Sequence, residues 1–293
     1  MHELRSILIE AAKLAGEIQK EIAKLGNDKF SLKNKYGETG AEAGADAVTI
    51  ADIESEKALR AFFVKKMPEF NIFGEEFGAS YNGNGKVIII DPLDCTLSFK
   101  QGIPCWGPII AVYENGKNIG SVEFNVMKNI MYVATEKTGF EHIGSEEDDI
   151  IQNGIYISGR FKDEDYERLI KIVQKEFPDG IIIPRKQNLF HKVRVYEGKY
   201  AFYFNQNIAL HDIGASPLFG KLTNTLVTNS FGKPYDYMDA EKEVEIYKIG
   251  TKEAVYCKDI LIAKPKNHAK ILKVLKQFYN TKYVGNLPSS LVD

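Results

Sequence analysis

The stretch Val87-Ile88-Ile89-Ile90-Asp91-Pro92-Leu93-Asp94-Cys95-Thr96 constrains this chain more than any other. It opens as a run of apolar, β-branched residues, the mark of a fully buried strand. It closes on two carboxylates with a proline and a leucine between them. Burying such acids at a strand's mouth is costly unless a cationic side chain or a metal compensates. Pro92 forbids a helix here and removes one backbone donor. The chain is therefore expected to turn at this point, with both acids and the Leu93 carbonyl pointing one way. Hard oxygen donors in that arrangement suit Mg²⁺. An acidic surface turn after a strand is the plainer alternative.

Charge must act locally, because the formal net charge is only -2 over 293 residues. That balance gives no electrostatic case for nucleic acid or an anionic membrane as partner, and none is expected. The length suits one large domain or two of ordinary size. Cys95, Cys105 and Cys257 are odd in number and lack metal-binding spacing, which argues for a reducing compartment. Met1-His2-Glu3-Leu4-Arg5 lacks the succession of a signal peptide, and no stretch approaches the ~20 apolar residues of a membrane span. A cytoplasmic protein is expected.

Along the chain, apolar residues from Leu4 to Leu25 recur at helical spacing, with Gly26-Asn27 as the stop. Residues 27–47 are poor in large apolar groups and are expected to form a long loop, a lid or simple disorder. A helix follows over residues 53–63, with Asp52 placed to be its N-cap. Phe70–Gly78 predicts a short strand running into Glu75 and Glu76. The segments 108–113 and 118–124 flank Asn115-Gly116, a hairpin signal, and Ile130–Ala134 extends the meander. Gly144 to Asp149 makes a polar joint. Beyond it the pattern predicts strands at 155–158, 181–183, 200–204 and 256–263, and helices over 164–177, 188–196 and 267–279. Asp212 stands at a helix start in His211-Asp212-Ile213-Gly214-Ala215.

Five acids thus sit at element ends: Asp52, Glu75, Asp91, Asp94 and Asp212. Val48-Thr49-Ile50-Ala51-Asp52, Phe73-Gly74-Glu75-Glu76, Asp91-Pro92-Leu93-Asp94-Cys95-Thr96 with Phe99, and Asp212-Ile213-Gly214-Ala215 follow one another at spacings of about 23, 16 and 120 residues. In this order they resemble the inositol monophosphatase superfamily of Mg²⁺-dependent, lithium-sensitive phosphatases. The resemblance implies an α/β (α+β) fold, a layered αβαβα sandwich of the inositol monophosphatase/fructose-1,6-bisphosphatase type. Residues 1–145 would form an α+β half bearing most metal ligands. Residues 146–293 would form an α/β half supplying Asp212 and the substrate wall.

By the same resemblance two or three Mg²⁺ bind per site. Glu75, Asp91 and the Leu93 carbonyl would hold the first. Asp91, Asp94 and Asp212 would hold the second. Glu75, with Asp52 acting through water, would serve a third. Glu75, Thr96 and Asp52 are the implied catalytic residues, orienting the attacking water. Asp94, Cys95, Thr96 and Asp212 would contact the substrate, with the Cys95 and Thr96 N–H groups holding phosphate oxygens. The implied reaction is hydrolysis of a small phosphorylated alcohol, by default an inositol phosphate. Histidinol phosphate, a sugar phosphate or a 3'(2'),5'-bisphosphate nucleotide are alternatives, and a homodimer is implied because relatives are commonly dimeric. A catalytically impaired metal-binding or assembly protein is the rival of another class.

Several positions depart from the family. Cys95 replaces a common glycine, and is tolerable there if its φ is negative. His211 replaces a tryptophan and is expected to pack rather than touch the metal shell. Arg185, Lys186 and Lys192 offer charges for an additional anion on the substrate, though a solvated basic face is the expectation favoured. Pro104-Cys105-Trp106-Gly107 resembles the histidinol-phosphatase branch, unless Trp106-Gly107 only closes a turn.

Overall fold

The computed structural model of the protein describes residues 2–25, 49–80, 83–145, 151–159, 161–185, 191–234 and 256–282. The loop expected at 27–47, Lys186, and most of the joint at 144–149 lie outside these residues. Helices α1 (His2–Ala23) and α2 (Ile50–Lys66) come first. Strands β1 (Asn71–Gly74), β2 (Gly78–Ser80), β3 (Lys86–Asp94), β4 (Gly107–Glu114), β5 (Lys117–Asn125), β6 (Ile130–Thr135) and β7 (Gly139–Ile143) form a seven-stranded sheet in the order β2-β1-β3-β4-β5-β6-β7. Its single short helix, α3 (Thr96–Lys100), follows β3 directly.

The second sheet is built from β8 (Gly154–Ser158), β9 (Ile181–Ile182), β10 (Tyr200–Ala209), β11 (Leu226–Thr228) and β12 (Tyr256–Ala263), in the order β11-β12-β10-β8-β9. Helices α4 (Asp163–Glu176), α5 (His191–Tyr196), α6 (Leu210–Ile213), α7 (Ser216–Leu222) and α8 (Pro265–Lys282) accompany it. No helix among the described residues is long and apolar enough to cross a membrane.

Side-chain alternation along the strands divides the core into three layers. Ile88, Ile90, Ile110 and Val112 face α1 and α2. Ile89, Ile109, Ala111 and Tyr113 face the opposite way, onto α5, α6, α7 and one side of the second sheet. Phe202, Phe204, Leu261 and Ala263 on that sheet's far side meet α4 and α8. The result is the expected α–β–α–β–α succession.

Two details of the first sheet position the acids. β1 and β3 run parallel, with Gly74 opposite Ile90, whereas the other pairings in this sheet are antiparallel. The parallel pair brings the C-terminal ends of both strands to the same edge. β3 also continues past the expected turn: it stays paired to β4 through Asp91↔Ile109 and Asp94↔Gly107. Between those pairs, Pro92 and Leu93 oppose Pro108 alone. Such a bulge absorbs the proline's missing donor and re-aims the flanking side chains. The turn itself falls one step later, at Cys95.

Candidate active site

The parallel register sets Glu75 beside Asp91, and the Glu75 N–H donates to the Ile90 carbonyl at 3.1 Å. Glu56 on α2 holds the turn that carries Glu75. Its fully buried carboxylate accepts the N–H groups of Glu76 and Phe77 at 2.7 and 3.2 Å and the Arg60 Nε–H at 2.8 Å. Gly74 makes room for it, since a Cβ there would lie 2.0 Å from Glu56 Oε1. Sequence reasoning passed over Glu56; its spacing of four residues before Arg60 was the available signal. Gln19 on α1 was missed as well. Its amide donates to the Pro92 carbonyl at 2.6 Å and so braces the bulge from behind.

Asp52 is not the N-cap of α2. Thr49 is: its hydroxyl accepts from the N–H groups of Ala51 and Asp52. Asp52 is the third helical residue and answers with its carboxylate, taking the Thr49 N–H at 2.8 Å in a capping box. Both residue types cap helices, and the three-residue spacing decides between them. The other carboxylate oxygen of Asp52 lies 3.1 Å from Thr96 Oγ1, which is also 3.0 Å from the Leu93 carbonyl oxygen. Asp52 and Thr96, expected to act together, are thus in contact.

Asp212 reaches the cluster from the second half of the chain. Two side chains of the first sheet hold its helix: Tyr113 Oη–H and Asn118 Nδ2–H both donate to the Gly214 carbonyl, at 2.6 and 2.9 Å. Asp91, Asp94 and Asp212 each place a carboxylate oxygen within 4.8 Å of the others. Glu75, Asp91 and His211 form a second such group. His211 is buried, and its Nε2 stands 3.5 Å from Glu75 and 3.3 Å from Asp212. It therefore packs, as expected, and also borders the acids, which was the less favoured outcome.

Crowding shows in the proton affinities. Burial, then the charges of Glu75, Asp94 and Asp212, hold the Asp91 carboxyl well above the ordinary range. Asp94 is raised by burial, with Lys192 pulling against it. Burial and the Glu75 charge push Asp52 up to about 8. Carboxylates so crowded call for a cation, and a donor set dominated by carboxylate oxygen fits Mg²⁺.

Two departures from the sequence expectations concern charge and strain. Cys95 takes φ 67 and ψ 42, the left-handed region, where negative φ was the condition for tolerating it. The reason is the tight change of direction from the bulged strand into α3. A non-glycine residue costs about 1–2 kcal/mol there. Cys95→Gly should therefore raise stability by about 1 kcal/mol, read as a higher melting temperature in thermal unfolding. Lys192, in turn, is no solvated face. It is buried, donates to the Asp212 carbonyl, and stands 3.9 Å from Asp94 and 3.8 Å from Glu123. Burial works against its ammonium, but Glu123, Asp94 and Asp212 outweigh this and hold its pKa above the ordinary range. Glu123 lies behind it, fully buried, its oxygens accepting no hydrogen bond. Arg185 stacks on the Tyr166 ring instead, with 3.3 Å from Cζ to the centroid.

A cavity of ≈ 170 Å³ opens beside the acids, lined by Asp94, Cys95, Asp212, Lys192, Ile208 and one face of the second sheet. Tyr156 and Ser158 on β8, and Tyr203 and Asn205 on β10, supply that face at matching register. Trp106 is absent from the lining; it is buried in the core edge-on to Phe99, at 4.8 Å between ring centroids.

Raised proton affinity also predicts a pH dependence. Burial takes Glu123 from 4.5 up to about 7 and Asp52 from 3.8 up to about 8. The folded chain then holds protons that the unfolded chain has released, so stability falls as pH rises through that window. Without divalent cation the melting temperature should drop by several degrees between pH 5 and pH 8 (about 1.4 kcal/mol for each tenfold difference in proton affinity), and Mg²⁺ should reverse much of the loss. Melts in chelator and in Mg²⁺ check this.

Comparison with known proteins adds the following. The profile described as "Inositol monophosphatase family" matches residues 1–185. A histidinol-phosphatase of Chlorobaculum parvum is 33% identical over 127 residues, 43% of this chain and 48% of that protein. An inositol-1-monophosphatase of Rhizobium meliloti is 30% identical over 139 residues, 46% of this chain and 48% of that protein. The match thus spans about half the length of these curated relatives. The crystal structure of extragenic suppressor protein suhB from Bartonella henselae superposes with a TM-score of 0.71 at 20% identity, covering 93% of this chain and 98% of that one.

Proposed function

Because this chain belongs to the inositol monophosphatase family, we propose that it is a Mg²⁺-dependent phosphomonoesterase releasing phosphate from a small alcohol. The observation that carries the reading is the meeting of Glu75, Asp91 and Asp94 from the first sheet's edge with Asp212 from helix α6, around Asp91. In this reading Glu75, Asp91 and the Leu93 carbonyl hold one ion, and Asp91, Asp94 and Asp212 a second. A third uses Glu75 near Asp52. Bound divalent ions supply positive charge to the attacking and leaving oxygens of an in-line displacement. The chain's own groups do the rest. Thr96 Oγ1, between Asp52 and the Leu93 carbonyl, orients the attacking water, and Asp52 takes up its proton through that hydroxyl. The water oxygen bonds to phosphorus, the ester P–O bond breaks, and the departing alkoxide takes a proton from a second water, whose hydroxide is neutralised by the proton Asp52 received. No side chain caps α3, which suits its first N–H groups to phosphate oxygens. Asp94 and Asp212 border the cavity where the alcohol would sit. A homodimer and inhibition by lithium belong to the same reading.

Phosphate release over a panel of phosphomonoesters with Mg²⁺ tests it. Turnover of at least one small ester supports the proposal. Silence on all of them with metal bound favours a non-catalytic, assembly role.

A further inference from the structure

The cavity beside the acids carries one charge that the proposed chemistry does not use. Among the described residues, Asp94, Asp212 and Lys192 are the charged ones lining it. In the reading above, on which this inference rests, both carboxylates are committed to metal. Lys192 is left, among the described residues, as the side-chain charge at the cavity wall that neither metal nor phosphate claims. Its carboxylate neighbour Glu123, 3.8 Å away, is fully buried behind it and forms no part of the lining. The pair thus presents its positive end to the cavity. The remaining described wall residues are uncharged: the Tyr156 and Tyr203 rings stack at 5.2 Å, Asn205 Nδ2 donates to Tyr203 Oη at 3.0 Å, and Cys95, Ser158 and Ile208 lie beside them.

We propose that Lys192 is a specificity-determining residue that makes this pocket accept phosphate esters of uncharged alcohols and exclude those of alcohols bearing an ammonium group. At ≈ 170 Å³ the space is below the ~300–1,000 Å³ of sites for drug-sized ligands, and so suits a leaving group of a few carbons. Hydroxyls on such a group find donors and acceptors in Ser158, Asn205 and the Lys192 ammonium. A second ammonium would meet the first across a short, poorly hydrated gap, where like charges repel strongly. Histidinol phosphate carries that ammonium. The pocket therefore departs from the substrate named for the Chlorobaculum parvum relative, although the sequence match to it is among the strongest.

The test uses two esters that differ in this one group: 2-hydroxyethyl phosphate and 2-aminoethyl phosphate. Binding to the full chain loaded with Ca²⁺ is measured by calorimetry, and phosphate release with Mg²⁺ is followed separately. The hydroxyl ester is expected to bind at least ~10-fold more tightly. Lys192→Met should bring the two within about threefold by improving the amine, as removal of the repelling charge requires. Equal binding by the wild-type protein, or preference for the amine, overturns the role of Lys192 while leaving the phosphatase reading intact. A ratio unchanged in a folded Lys192→Met protein does the same. Binding and release of neither ester overturn both. Should Lys192→Met not fold, Lys192→Gln takes its place, with the same ratio expected and the same result overturning the role.

Discussion

Asp91→Asn should abolish phosphate release, lowering kcat by at least ~10³-fold while leaving the protein folded. Asp91 is the one residue common to both groups of potential ligands, so its loss weakens each of them at once. The amide keeps the shape and can still accept the Leu93 N–H that Asp91 Oδ1 receives at 3.0 Å. What it lacks is charge. In the metal-free protein that lack is an advantage, because burial and three neighbouring acids disfavour the Asp91 carboxylate. The variant should therefore melt higher than wild type in chelator and gain less from Mg²⁺. Opposite signs in activity and stability distinguish loss of a ligand from general damage. Unchanged turnover would sink the metal assignment.

Glu56→Ala should cost about 3–5 kcal/mol of stability, measured by denaturant unfolding. The carboxylate is fully buried and satisfies two backbone N–H groups and the Arg60 guanidinium. Alanine leaves all three without that partner and opens a void above Gly74. The turn carrying Glu75 then loses its anchor, so Mg²⁺ affinity should fall in the same variant. Glu56→Gln retains the shape and should lose less of both. An alanine variant as stable as wild type would show that the turn is held by other means.

These two positions differ in how well the sequence exposed them. Asp91 was legible because an apolar run led straight into it and the acids of Gly-Glu-Glu preceded it at family spacing. Glu56 was not, since it lies mid-helix among charged residues and only the fold shows which face is buried. The sequence points to Asp52 as the cap, but Thr49 caps equally well by residue type, and only the helix start fixes which of them does. The positive φ of Cys95 left no trace in its residue type: the bulge at Pro92 and Leu93 creates it, and a bulge is a property of paired strands. Lys192 was misread for a similar reason. A lysine near two other cations resembles a wet surface until the helix that carries it is seen turned towards Asp94 and Glu123. The alternation of Ile88, Ile89 and Ile90 between two core layers followed from strand periodicity alone.

The carbonyl of Gly214 is gripped by side chains 101 and 96 positions earlier in the chain. Contacts so distant in sequence close large loops, and loops of that size close slowly and late in folding. Asp212 is therefore expected to join the other acids only when the two sheets have come together. A partly folded molecule would hold an incomplete set of acids and, in the proposed reading, would release no phosphate. A cation that prefers the finished set pulls the last step forward by mass action. If the proposed activity holds, catalytic competence becomes a checkpoint on assembly, granted only to chains that have folded throughout.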